Sequence, residues 1–233
     1  MDEKWREYFL IWAESEVFQE KLKKTKEIIK EALSKFKKPY IAFSGGKDST
    51  ALMHLVLSFD DSIMVLHWDY GPYYLPRPLE KEIIEIAKKC RAKNLRVETS
   101  KKYWILKRNA VNVLGVDYLG KLVPQLVKEG YDLAFVGLRA EEAVKRRLRT
   151  QEIYEYDKYK KITNVYPLRD WSWKDVWAYI VSNNLPYLSY YDKYCPILGW
   201  DKTRFVTLFD LEFDKFGSSN IDNVLMWRFR NVK

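Results

Sequence analysis

The pattern of apolar and polar positions along the chain alternates between short apolar runs and longer segments of helical periodicity. The apolar runs, bounded by turn residues, predict buried strands at 40–43, 62–68, 95–100 and 131–138. Apolar residues recurring every three to four positions predict helices at 48–59, 77–94 and 172–184, the last with Ser172 as N-cap. Strands that alternate with helices favour an α/β fold, with a parallel sheet covered by helices on both faces.

The two ends of the chain follow other patterns. Residues 5–37 have aromatic and apolar residues at helical spacing and predict an N-terminal helix. The tyrosine-rich stretch 152–168 is compatible with a hairpin, and residues 185–233 are expected to be irregular. We therefore predict an N-terminal helical segment at 1–38, an α/β domain at 39–200 and a C-terminal extension at 201–233.

Composition narrows the classes of function. Two cysteines and two histidines are too few ligands for an iron–sulfur cluster or a structural zinc site held by this chain alone. No window approaches the roughly 18 apolar residues of a membrane span, and the N-terminus lacks the apolar core of a secretion signal. We expect a cytoplasmic protein without a membrane partner. The net charge of +9 favours an anionic partner, which nucleic acid and small phosphorylated ligands satisfy equally.

A short polar motif, SGGKDS at 44–49, stands where the first predicted strand passes into a helix. Gly45 and Gly46 permit a tight turn that brings bare backbone N–H groups to a ligand. Ser44, Ser49 and the first turn of the helix add donors, and the helix dipole favours negative charge. The motif therefore predicts a cradle for the phosphates of a nucleotide.

Two charged residues of the motif suggest further roles. Lys47 supplies a mobile cation for a phosphate oxygen. Asp48 could cap the helix, as could Ser49, or it could hold Mg²⁺ through the phosphates.

The strand–SGGKDS–helix arrangement resembles the modified P-loop of the ATP pyrophosphatase, or adenine nucleotide alpha hydrolase, superfamily. In that superfamily the loop holds the pyrophosphate end of ATP or the corresponding anion of a sulfonucleotide. Asp69 and Gly71 match its second-strand motif, with Tyr70 where threonine is usual. The stretch 135–147 resembles its glycine–leucine–arginine loop, with Arg139 and Arg146 at the two arginine positions.

The stretch 165–200 resembles the phosphoadenosine phosphosulfate (PAPS) reductase pattern, and the chain is identified as a member of that family. Much of this stretch serves as scaffold, with Asp175 in the first turn of a helix and Trp177 in the core. The matching residues are Pro167, Leu168, Trp171, Asp175, Val176, Trp177, Leu185, Pro186, Asp192 and Gly199.

The resemblance implies a set of site residues. The catalytic residues that it implies are Lys47, Arg139 and Arg146. The nucleotide-binding residues that it implies are Ser44, Gly45, Gly46, Lys47, Asp48, Ser49, Asp69, Gly71, Gly137, Arg139 and Arg146. The implied cofactor is Mg²⁺ with ATP (or with PAPS), and the implied setting is sulfur metabolism.

The chain also departs from the reductase pattern. The Glu-Cys-Gly-Leu-His tail and the four iron–sulfur cysteines of sulfonucleotide reductases have no counterpart, Trp200 replaces a frequent cysteine, and Ala143 replaces a frequent serine. A thiolate is the group that performs this reduction readily. We therefore expect an enzyme that cleaves ATP between the α and β phosphates, as a pyrophosphatase or an adenylyltransferase with an unknown acceptor.

Two alternatives remain open. The first is a PAPS reductase whose nucleophile is Cys195 or the thiol of a thioredoxin-like or sulfur-carrier partner. Cys195 precedes a proline and is equally compatible with a structural role, as is Cys90 on a helix core face. The second is a non-catalytic nucleotide or RNA binder, in which the stretch 153–162 and the basic end supply stacking and backbone contacts.

Overall fold

The computed structural model describes residues 1–72, 75–106, 113–142, 147–148 and 150–205. Within these ranges, the helices are α1 (Glu3–Glu14), α2 (Glu16–Lys35), α3 (Lys47–Leu57), α4 (Arg77–Lys89), α5 (Lys102–Ile105), α6 (Val123–Lys128), α7 (Trp173–Ser182) and α8 (Ser189–Leu198). The strands are β1 (Pro39–Phe43), β2 (Met64–Asp69), β3 (Leu95–Thr99), β4 (Leu133–Val136), β5 (Tyr154–Asp157) and β6 (Ile162–Val165). A π-helical segment, Leu114–Leu122, leads directly into α6, and a 3-10 turn spans Ala140–Glu142.

The strands form one sheet in the order β3-β2-β1-β4-β6-β5. All neighbours are parallel except β5, which runs antiparallel to β6 at the edge. The α/β fold with a parallel sheet is confirmed, and the hairpin is confirmed as β5–β6. The chain builds outward from β1 through β2 to β3, then crosses to the other side of β1 with β4. This change of direction is a topological switch point, where ligands of open α/β sheets bind.

Both faces of the sheet are buried, as expected for parallel strands. Alternating residues such as Ile41 and Phe43 pack towards α3, α4 and α7. The residues that alternate with them along β1, such as Tyr40, pack towards the π-helical segment and α6 together with Leu66 and Trp68. In the described part of the chain, no helix has the length and apolar character needed to cross a membrane.

The N-terminal region differs from the single helix predicted at 5–37. Ser15 has extended backbone angles and accepts a hydrogen bond from the N–H of Phe18 at 3.3 Å, so it ends α1 and caps α2. A serine side chain competes for backbone groups in this way, which favours a cap over a helix interior. The break turns α1 back onto α7, where Phe9 stacks on Trp177 with ring centroids 6.1 Å apart.

The predicted N-cap of α7 is confirmed. Ser172 and Asp175 form a capping box, and Asp175, with no exposed surface, also accepts from Trp12 Nε1 at 2.8 Å and Lys21 Nζ at 2.7 Å. Asp175 thus links α1 and α2 to α7 through its hydrogen bonds.

The prediction that residues 185–233 are irregular is wrong for Ser189–Leu198, which form α8. Pro196 inside this helix removes a backbone donor, so the local sequence argues against a helix. Burial of Tyr190, Tyr191 and Cys195 outweighs that local preference. After α8, the Thr203 hydroxyl donates to the carbonyl of Gly199 at 2.8 Å. The described residues end at 205.

Candidate functional site

A crevice of about 270 Å³ opens at the carboxyl edge of the sheet, at the switch point between β1 and β4. Its volume lies just below the usual range of roughly 300–1,000 Å³ for small-molecule sites. One wall is the loop after β1, another is the loop after β4, and the π-helical segment and the residues after α8 close the other sides. The predicted site residues that line it are Ser44, Gly46, Asp48, Ser49 and Gly137.

The loop after β1 has the tight turn that the motif predicts. Gly45 lies in the left-handed region with φ of 84°, whereas Gly46 has φ of −70° and is the N-cap of α3. The Ser49 hydroxyl donates to the carbonyl of Gly46 at 2.9 Å and lies 3.1 Å from the Ser44 hydroxyl. Capping of the helix by Asp48 or Ser49 was therefore wrong, since Gly46 caps it without a side chain.

The loops after β1 and β4 touch each other at Gly137. A Cβ atom at Gly137 would lie 3.2 Å from both the backbone N and the Cα of Ser49, which is tighter than ordinary contact. Glycine at this position therefore lets the β4 loop approach the N-terminus of α3 and brings the two halves of the crevice together.

Two cations share one carboxylate at this junction. Asp48 Oδ2 accepts from Lys47 Nζ at 3.1 Å, and Asp48 Oδ1 accepts from Arg139 Nε. Arg139 Nη1 donates to Glu141 at 2.7 Å and more weakly to the carbonyl of Trp171 at 3.4 Å. The structure thus brings Lys47, Asp48 and Arg139 together from loops far apart in sequence.

Burial corrects the expectation that Lys47 is a mobile cation. The side chains of Lys47 and Arg139 are only 2% and 3% exposed. Asp48 lines the crevice, whereas the two cations lie behind its carboxylate. The Lys47 backbone is also fixed, because its N–H donates to the hydroxyl of Tyr191 at 3.1 Å.

The charges in this cluster stabilise one another. Burial alone would raise the pKa of Asp48, but the positive charges of Arg139 and Lys47 outweigh it and hold that pKa well below its ordinary value. Burial would lower the pKa of Arg139, and the neighbouring carboxylates, led by Asp48, raise it instead. Asp48 and Arg139 are therefore both ionised at neutral pH.

The residues do not fit a Mg²⁺ site held by the protein. Each oxygen of Asp48 already accepts from a cation, and Mg²⁺ on the same carboxylate would meet two positive charges at close range. Across the described ranges, no group of three His, Cys, Asp or Glu side chains could hold a metal ion. The Mg²⁺ requirement stays a prediction about the nucleotide.

Asp69 and Gly71 shape a neighbouring loop outside the crevice lining. Asp69 accepts from the N–H of Gly71 at 2.7 Å and from both terminal nitrogens of Arg77 at 2.8 and 2.7 Å. Gly71 has φ of 75°, and a Cβ there would lie 2.8 Å from Tyr103 Cβ. Their geometry supports a structural role in the loop after β2.

Two of the residues discussed from the sequence, Arg146 and Ala143, lie outside the described residues. The proposed role of Arg146 therefore stays a prediction.

Several residues of the crevice were not foreseen from the sequence. Trp68 and Tyr118 form an aromatic wall, with ring centroids 5.3 Å apart. Tyr191, Arg204 and Phe205 reach the crevice from α8 and the segment after it. These residues lie far from the loop motifs in sequence, and no local pattern distinguishes them from core aromatics or surface cations.

Neither cysteine lines the crevice. Cys195 is buried in α8, at 1% exposure. Burial raises the pKa of Cys90, at the end of α4, to about 11. Both environments correspond to the structural interpretation of these residues.

Comparison with known proteins places this chain in a family. The model of the phosphoadenosine phosphosulfate reductase domain matches residues 38–205. An uncharacterized protein of Methanocaldococcus jannaschii is 30% identical over 177 residues, covering 71% of this chain and 36% of that protein. The adenosine 5'-phosphosulfate reductase of Lysinibacillus sphaericus is 44% identical over 63 residues, covering 27% of this chain and 26% of that enzyme. The chain thus spans about a third or less of these curated relatives.

Two solved structures share the fold at 18% identity. The PAPS reductase of Candida auris, in a phosphate complex, has a TM-score of 0.53 and aligns over 72% of this chain and 84% of that chain. The FMN adenylyltransferase of Candida glabrata, in complex with FAD and inorganic pyrophosphate, has a TM-score of 0.57 over 75% of this chain and 59% of that chain. With the matched domain covering most of its length, this chain belongs to the phosphoadenosine phosphosulfate reductase family.

Proposed function

We propose that this protein is an adenine-nucleotide-dependent enzyme that cleaves ATP between its α and β phosphates. The crevice at the switch point supports the proposal, because the N-terminus of a helix and two buried cations lie there beside an aromatic wall. The aromatic wall of Trp68 and Tyr118 suits a nucleoside, and the loop at 44–49 suits its phosphates.

The proposed reaction needs positioning and charge rather than a thiol. An oxygen of water or of an acceptor attacks the α-phosphorus, the bond to the bridging oxygen breaks, and pyrophosphate leaves with the electron pair. Lys47, Arg139 and the N-terminus of α3 stabilise the negative charge that develops on the phosphate oxygens. With water as the attacking group the products are pyrophosphate and AMP, and with an acceptor they are pyrophosphate and the adenylylated acceptor.

The test is to incubate the protein with ATP labelled at the α or the γ phosphate, with and without Mg²⁺. We expect labelled pyrophosphate and AMP or an adenylylated product. Lys47→Ala and Arg139→Ala are expected to lower the rate roughly 10²–10³-fold each, the usual effect of removing one charge-stabilising donor. Lys24→Ala, on the exposed surface of α2, is the matched control. Release of orthophosphate, or turnover that survives both variants, would contradict the proposal.

A second candidate is reduction of a sulfonucleotide, which the relatives named adenosine 5'-phosphosulfate reductase favour. Because Cys195 is buried and does not line the crevice, the attacking thiol would then come from a thioredoxin-like or sulfur-carrier partner. A thioredoxin-coupled assay with PAPS and adenosine phosphosulfate tests this candidate. Activity that disappears in Cys195→Ala would instead assign the thiol to this chain.

A further inference from the structure

Asp48 has a position that neither a helix cap nor a metal ligand explains. Its carboxylate lines the crevice and bridges Lys47 Nζ, at 3.1 Å, and Arg139 Nε. A carboxylate held between an ammonium and a guanidinium has the charge and the planar acceptor geometry of one edge of a phosphate or sulfate group.

We propose that the carboxylate of Asp48 occupies the anion position of the ligand-free site, and that a phosphate of the nucleotide displaces it from Lys47 and Arg139. The inference rests on the proposed function for the identity of the ligand, and it adds the location of the anion and the group that competes for it. The exchange breaks two ion pairs to Asp48 and forms two to the phosphate, with no covalent change.

The neighbouring contacts keep the Arg139 guanidinium and the Lys47 backbone in place during this exchange. When Asp48 leaves, Arg139 remains bonded to Glu141 at 2.7 Å and to the carbonyl of Trp171 at 3.4 Å. The backbone of Lys47 remains bonded to the Tyr191 hydroxyl at 3.1 Å. Asp48 itself lies on the crevice wall with its side chain 14% exposed, so a rotation about its side-chain bonds moves the carboxylate into open space.

The displacement predicts an unusual sign for the effect of a substitution on ligand affinity in a cluster of charges of this kind. A direct metal ligand or phosphate contact loses affinity when it is removed. Removal of a competing carboxylate instead raises the affinity of the protein for the ligand, since it frees both cations and eliminates a negative charge beside the phosphate.

The experiment is calorimetric titration of the full chain with inorganic pyrophosphate and with ATP, in EDTA and in Mg²⁺. We expect Asp48→Asn to bind pyrophosphate about tenfold more tightly than the unchanged protein in EDTA, the scale of one neighbouring charge at a partly buried site. Asp48→Ser, which lacks an acceptor that reaches Arg139, is a second variant with the same expected direction. Combining Lys47→Met with Asp48→Asn is expected to abolish the gain in pyrophosphate affinity.

Asp61→Asn is the matched control. Asp61 forms a surface ion pair with Lys93, and its substitution removes the same unit of charge. Its pyrophosphate affinity should equal that of the unchanged protein. Thermal melts of each variant exclude unfolding as the cause of a change.

The outcomes separate the two proposals. Weaker or unchanged binding of pyrophosphate by Asp48→Asn in EDTA overturns the displacement, and a loss confined to Mg²⁺ assigns Asp48 to the metal instead. Tighter binding without any cleavage of ATP supports the displacement and contradicts the proposed function. Absence of pyrophosphate and ATP binding in every variant overturns both.

Discussion

Replacing Gly45 by alanine tests whether the turn of the loop at 44–49 requires glycine for two separate reasons. The first is backbone conformation, since Gly45 has φ of 84°. The second is space, because a Cβ at this position would lie 2.8 Å from Ile83 Cδ1 and 2.9 Å from Ile83 Cγ2. Ile83 is fully buried on α4, so it has little room to move away.

The two costs can be estimated separately. An alanine in the left-handed region costs about 1–2 kcal/mol. Overpacking against a buried side chain typically adds about 1–3 kcal/mol. We therefore expect Gly45→Ala to lower the free energy of unfolding by ~2–5 kcal/mol, the sum of the two. That is a large share of the ~5–15 kcal/mol that stabilises a typical domain.

Urea denaturation followed by circular dichroism measures this loss, with the slope of the transition checked for constancy. Gly130→Ala is the matched control, because Gly130 has φ of 93° but its nearest neighbour to a new Cβ is Lys38 Cδ at 3.8 Å. Only the conformational cost, ~1–2 kcal/mol, is expected there. In an Ile83→Ala background, which removes the clashing carbons, Gly45→Ala should likewise cost only ~1–2 kcal/mol.

Equal losses for Gly45→Ala and Gly130→Ala would refute the reasoning, because they would leave no contribution from Ile83. A loss at Gly45 that is undiminished in the Ile83→Ala background would do the same. Either result would mean that α4 does not pack tightly against the loop at 44–49 in solution.

Three further predictions follow from other parts of the structure. Asp175→Asn should destabilise the protein by ~3 kcal/mol at pH 7, as removal of one partner of a buried ion pair does. Burial alone would raise the pKa of Asp175, but its ion pair and hydrogen bonds hold that pKa below the ordinary value. The stability difference should therefore shrink as the pH falls below about 4, which denaturation at several pH values can measure. Tyr191→Phe leaves the buried N–H of Lys47 without its acceptor and should cost ~1–3 kcal/mol of stability, measured by thermal melts. Cys90 and Cys195 should resist iodoacetamide at pH 8 in the native protein and react after denaturation, as counted by mass spectrometry; rapid native labelling of Cys195 would revive it as a nucleophile.

The elements that the sequence predicted correctly are those whose pattern is local and strong. The strand at β1, the helix at α3 and the capping box of α7 each follow from a short run of residues with a clear apolar period or cap. The two incorrect predictions, a single N-terminal helix and an irregular segment at 189–198, have different causes. Ser15 interrupts a helical period without a visible break in hydrophobicity, and Pro196 lies in a helix that buried tyrosines stabilise.

The candidate site divides in a similar way. The motif at 44–49 already indicated the tight strand-to-helix turn, because its glycines permit the backbone conformation that such a turn needs. The aromatic wall of Trp68 and Tyr118 could not be located in this way, because their pairing depends on how the π-helical segment packs on the sheet.

The amino-acid sequence by itself determined the parallel α/β architecture, the family and the place of the glycine-containing loop at 44–49, since these depend on periodicity and on residues adjacent in the chain. Only the tertiary structure decided what the charges of that loop face. Asp48 and Arg139 are 91 positions apart, and they meet because β1 and β4 are neighbours in the sheet. An ion pair depends on distance in space, which the spacing of residues along the chain does not specify.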